Sequence, residues 1–223
     1  MLSNGFGWFI DIQHESHAED TFFCHLLQDW PVPKGVLIWS VLYNLRTMNR
    51  KIQVHYDRLQ AGKESLFRQL QPCSEDQLRW KPMGNQWSVL QVLDHLHFAE
   101  SGSLNYCKKK LLAGDQMPGA SLFNSVRMEV YDIILYSRIK IKAPAVVISP
   151  SNERNLEEMK SLFDQTSDDL KAFLDEYPDE FLSKGIYKHP MAGRITLPAM
   201  VKFFNAHLIH HRHQINRLLH QQA

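Results

Sequence analysis

The C-terminal stretch constrains this chain most. Met200, Phe203, Phe204, Leu208, Ile215 and Leu218 return at intervals of three, four and seven, and only an α-helix gathers such a set onto one face. His207 and His211 fall in the middle of that stripe, one turn apart, with Cβ atoms about 5–6 Å from each other. His210 and His213 point towards the other side, where solvent is expected. One inward histidine is more often a hydrogen-bonded core residue than a ligand. Two left without partners, however, would cost about 1–3 kcal/mol each, and one metal ion satisfies both rings. Thr196 suits the N-cap of this helix and Pro198 its first turn, where a missing amide proton does no harm.

Upstream, four more helices are read from the sequence. Ile52, Tyr56, Leu59, Lys63, Leu66, Phe67 and Leu70 recur at three- and four-residue steps from Asn49 until Pro72, which stops the run. A loop from Pro72 to Gln86 follows, and Ser88 then caps a helix running through Val89, Val92, Leu93, Leu96, Ala99, Leu104 and Leu111 towards Gly114. His95 and His97 lie in it, roughly 160° apart on the wheel and each at one edge of the apolar stripe. Periodicity does not choose between them. Leu122 to Lys140 reads as a further helix, Ala143 to Pro150 as an extended connection. Ser151 or Asn152 is placed to cap an amphipathic helix through Leu156, Met159, Leu162, Phe163, Leu170, Phe173 and Leu174. Nothing alternates at period two for long, so the expected fold is all-α: a four-helix bundle with additional helical segments, whose facing helices can build a metal site.

Residues 1–47 read differently. No Lys or Arg precedes Lys34, Asp11, Glu15, Glu19, Asp20 and Asp29 make the segment acidic, and Pro31, Pro33 and Gly35 interrupt it. It is expected to be an N-terminal extension, natural or an upstream over-reading of a chain that starts at Met48, ahead of one domain over 48–223.

Composition excludes several classes. The formal charge is +1, from 25 basic and 24 acidic residues, so no global field draws the protein to nucleic acid or an anionic membrane. The longest apolar run, Val36 to Leu45, contains Ser40 and Asn44 and falls short of a membrane span. Cys24, Cys73 and Cys107 are odd in number and hold no C-x-x-C pair, which argues against a disulfide framework and a cysteine zinc site. A cytoplasmic location is expected. Neither H-E-x-x-H nor a pair of Glu-x-x-His motifs is present, which leaves a mononuclear site with histidine ligands.

Three blocks carry a family likeness: Trp87-Ser88-Val89-Leu90-Gln91-Val92-Leu93-Asp94-His95-Leu96, then His189-Pro190 with Gly193 and Thr196, then His207-x-x-x-His211-Arg212-x-Gln214-Ile215. In order and spacing they resemble the DinB/YfiT-like superfamily of bacterial four-helix-bundle proteins, over about residues 49 to 220. The resemblance implies one divalent metal ion, commonly zinc or nickel, held by His95, His207 and His211; the preference for His95 over His97 rests on it alone. It also implies either a metal-dependent hydrolase or a transferase that uses a low-molecular-weight thiol, acting on a small molecule. Three neutral imidazoles leave a tetrahedral ion one open position, at which a water or a thiol is activated. The alternative is a non-catalytic, stress-related helical binding protein in which the ion is structural. No catalytic residue is assigned: Asp94 and Glu100, the acids nearest His95, are as readily a surface charge or a hydrogen-bond acceptor. Arg212 and Gln214 are expected to support the ligands or pack the helix, and the expected assembly is a homodimer.

Overall fold

The computed structural model describes residues 48–84, 86–112, 114–137 and 150–222. The expected N-terminal extension and its boundary, residues 138–140 of the Leu122 helix, and 143–149 of the extended connection lie outside these described residues.

Six α-helices and one small hairpin make up the described chain. In order they are α1 (Arg50–Leu70), α2 (Glu75–Arg79), α3 (Val89–Leu111), α4 (Leu122–Tyr136), α5 (Leu156–Glu176), β1 (Tyr187–His189), β2 (Gly193–Ile195) and α6 (Leu197–His220). α1, α3, α5 and α6 form the bundle. α6 packs along α1 and α3, and α5 packs along the same two from the other side, so α1 and α3 occupy opposite corners. α4 lies outside this ring against α6. None of the described helices is long and apolar enough to cross a membrane.

The apolar stripes read from the sequence meet in the core. Ile52, Leu59, Leu66 and Leu70 of α1, Leu90 and Leu93 of α3, and Met159, Leu170 and Leu174 of α5 are at most 1% exposed, each worth about 1.5–3 kcal/mol in apolar burial. Lys63, which shares the α1 stripe, is also buried, and its ammonium is met in the core by the Glu100 carboxylate of α3 at 2.5 Å and by Ser167 Oγ of α5 at 2.9 Å.

Caps fix where the helices begin. Ser88 and Gln91 form a reciprocal capping box at α3, and Thr196 Oγ1 accepts from Ala199 N at α6 with a proline in the first turn, as the sequence predicts.

Three local expectations are corrected. The loop between Pro72 and Gln86 contains α2, started by a capping box of Ser74 and Gln77. The cap of α5 is Asn155, again in a capping box with Glu158, and not Ser151 or Asn152. The side-chain oxygens of those two are engaged elsewhere: Ser151 Oγ accepts from Glu153 N at 3.2 Å, and Asn152 Oδ1 accepts from Ser88 Oγ. Finally, β1 and β2 pair antiparallel as two three-residue strands, too short to leave an alternating pattern. Gly193 opens β2 at φ +81°, a backbone conformation that glycine adopts without strain.

Candidate metal centre

α3 brings His95, and α6 brings His207 and His211, to one point. His207 Nε2 lies 3.2 Å from His95 Nε2 and 3.0 Å from His211 Nε2, and one ligand nitrogen from each of the three rings lies within 4.8 Å of the others. The pair on α6 meets because residues four apart share a helix face. His95 meets them because the cap at Ser88 and the anchoring of Asp94 fix the start of α3. Asp94 is 1% exposed and takes Ser151 N on one oxygen and the Arg154 guanidinium, at 2.6 Å, on the other.

The rings are walled by aromatic groups. Phe203 stacks on His207 with 5.2 Å between centroids and 17° between planes, and Trp87 lies 5.1 Å from His95. His211 is 8% exposed, whereas His95 and His207 are half-buried. Burial favours the uncharged imidazole. It pushes His95 down to about 4 and His211 down to about 3, and it holds His207 well below the usual histidine range, with the neighbouring rings acting in the same sense.

Tautomers can be read from the outer contacts. Gln214 Oε1 lies 2.9 Å from His211 Nδ1; an amide oxygen only accepts, so Nδ1 carries the proton and Nε2 presents a lone pair to the cluster. A metal-ligating histidine is held in this way. The spacing also fits an ion. With metal–nitrogen bonds of about 2.0–2.1 Å, the two nitrogen pairs 3.0 and 3.2 Å apart subtend angles of about 90–105° at the ion, within the range of a distorted tetrahedron. Three neutral donors, all within 4.8 Å of one another, are a set that can hold one divalent ion. Among the described residues this is the one group of three such side chains brought together.

The other histidines go elsewhere. His97 turns away from the cluster: its Nδ1 lies 3.3 Å from Thr166 Oγ1, with Phe163 beside the ring. His210 and His213, expected in solvent, are both half-buried, and the His210 ring lies against His211 at 5.2 Å. His189 is buried and its Nδ1 accepts from Met191 N and Ala192 N, at 3.2 and 3.1 Å. It therefore shapes the hairpin turn while its ring packs on Phe203 at 4.5 Å. Neither nearby acid is free: Asp94 serves the α3–α5 connection, and Glu100 is bound to Lys63. The contact of Lys63 with Glu100, made between two helices, has no local signal in the sequence.

No curated protein matches the chain. The family model described as DinB superfamily matches residues 58–215, a span that includes all three histidines of the cluster. Because that match covers well over half of the 223 residues and falls on an all-helical bundle with histidines from two of its helices at one point, the chain belongs to the DinB superfamily.

Proposed function

We propose that this protein is a metal-dependent enzyme that acts on a small molecule, either hydrolysing it or transferring a low-molecular-weight thiol to it. His95, His207 and His211 hold one divalent ion, zinc or nickel in the first instance. The observation that carries this reading is the convergence of three neutral Nε2 atoms, those of His95 and His211 lying 3.2 and 3.0 Å from that of His207. When bound, the ion supplies Lewis-acid activation of a water or a thiol at the position the histidines leave open.

The chain's own groups do the rest. Gln214 keeps the proton of His211 on Nδ1, the indole of Trp87 and the ring of Phe203 restrict how the imidazoles can rotate, and burial keeps the rings unprotonated at neutral pH. The test is turnover of ester, amide and thiol-plus-electrophile panels by the metal-loaded protein. Activity that disappears in His207→Ala supports the reading; full activity in that variant overturns it.

A second reading has an observation in its favour. Both acids near the cluster, Asp94 and Glu100, are tied into ion pairs, so neither is free as a general base, which suits a non-catalytic binding protein with a structural ion. Under it, removal of the metal lowers the melting temperature sharply and no substrate panel turns over.

A further inference from the structure

Between α1, α3 and α6 lies a cavity of about 10 Å³, at the lower limit for a single water. Lys63, Glu100 and His207 supply its polar lining; the rest is leucine and phenylalanine. A water needs two or more polar partners, and these three side chains are the ones that face the space. The Glu100 carboxylate is held there firmly. Its Oε1 takes Lys63 Nζ at 2.5 Å, and Nζ is pinned in turn to Ser167 Oγ at 2.9 Å, which itself donates to Phe163 O at 2.8 Å. Both partners of the ion pair are at most 7% exposed.

His207 has the complementary need. Its Nε2 faces the other two rings, so Nδ1 is left as the outer nitrogen, and among the described residues no protein group accepts from it. His211 meets the same requirement directly through Gln214. Histidines that ligate metals donate their second ring proton to a carboxylate, a carbonyl or a water.

We propose that Glu100, anchored by Lys63, is the positioning residue for His207, joined to its Nδ1–H through one water in this cavity. The proton is thereby kept on Nδ1 and the Nε2 lone pair is aimed at the ion. Glu100 touches neither the ion nor a substrate; it acts through the imidazole. This inference rests on the reading that His95, His207 and His211 hold a metal, and it extends that reading from the ligands to the buried ion pair behind them.

The experiment measures zinc affinity by competition with a chromophoric chelator on the full chain, for the parent, Glu100→Gln and Gln214→Leu, together with the visible spectrum of each protein loaded with cobalt. Glu100→Gln is expected to weaken zinc binding roughly 10–100-fold, as loss of an outer partner does, and to shift the cobalt spectrum. Unchanged affinity and spectrum in Glu100→Gln, with the parent binding zinc, overturn the proposal alone. A parent that binds neither metal overturns the three-histidine reading along with it. Should Glu100→Gln fail to fold, nitrogen-15 spectra of the zinc-loaded parent decide. A slowly exchanging proton on His207 Nδ1 supports the proposal, and a His207 ring protonated on Nε2 refutes it.

Discussion

Acidification of the metal-free protein should reveal how much free energy is stored in uncharged, buried imidazoles. Unfolded histidines titrate near 6.5, whereas burial holds His95 at about 4, His189 at about 4 and His211 at about 3. A depressed folded value means that the unfolded state binds more protons below 6.5, so stability is complete above that pH and is lost as pH falls. Between pH 7.5 and pH 5 each of the three loses about 2 kcal/mol, from 1.5 units at 1.36 kcal/mol per unit. His207 acts in the same direction. Asp132 opposes them: burial raises it to about 6, and its protonation between pH 6 and pH 5 returns about 1 kcal/mol. The net loss is at least about 5 kcal/mol, comparable with the whole stability of a typical domain. Urea denaturation followed by circular dichroism at half-unit pH steps measures it, and His211→Phe should lose about 2 kcal/mol less than the parent across the same interval. A stability that stays level from pH 7.5 to pH 5 would refute the claim that these rings are buried and neutral.

Other perturbations have defined outcomes. Asp132→Asn should stabilise the protein at pH 7.5 by up to about 3 kcal/mol, since the carboxylate is 2% exposed, neither of its oxygens has a hydrogen-bond partner, and burial raises its folded value despite Lys202 Nζ at 3.6 Å; the gain should vanish below about pH 3, where the acid is protonated in both states. Lys63→Met should cost about 3–5 kcal/mol by leaving Glu100 buried without its cation, and the double variant Lys63→Met/Glu100→Leu should recover most of that loss in thermal melts. Gln214→Leu should lower zinc affinity roughly tenfold or more with little change in helix content, because it removes the acceptor for His211 Nδ1.

Much of this architecture was legible in the letters because its signals are local. Thr196 with Pro198, and Ser88 with Gln91, mark helix starts within four residues, and the α1 stripe places even Lys63 on its buried face. The convergence of His207 and His211 followed from i, i+4 spacing. The third histidine did not: His95 and His97 sit at opposite edges of their stripe, and what separates them is the rotation of α3 against α6, a long-range property for which only the family resemblance provided a guide. Ser74-x-x-Gln77 carried a readable cap signal for α2 that its proline-flanked setting obscured. Ser151 and Asn152 are good caps by type, but their side-chain oxygens accept from Glu153 N and from Ser88 Oγ, the latter a residue far away in the chain. The same limit hid the Lys63–Glu100 pair.

The most direct test of the central claim is the metal content of untagged full-length protein, by elemental mass spectrometry, beside His95→Ala, His97→Ala, His207→Ala and His211→Ala. The account predicts about one equivalent of a divalent metal in the parent and in His97→Ala, with loss in the other three. A parent that holds no metal after incubation with zinc and nickel, or a His97→Ala variant that loses it while His95→Ala does not, would contradict it.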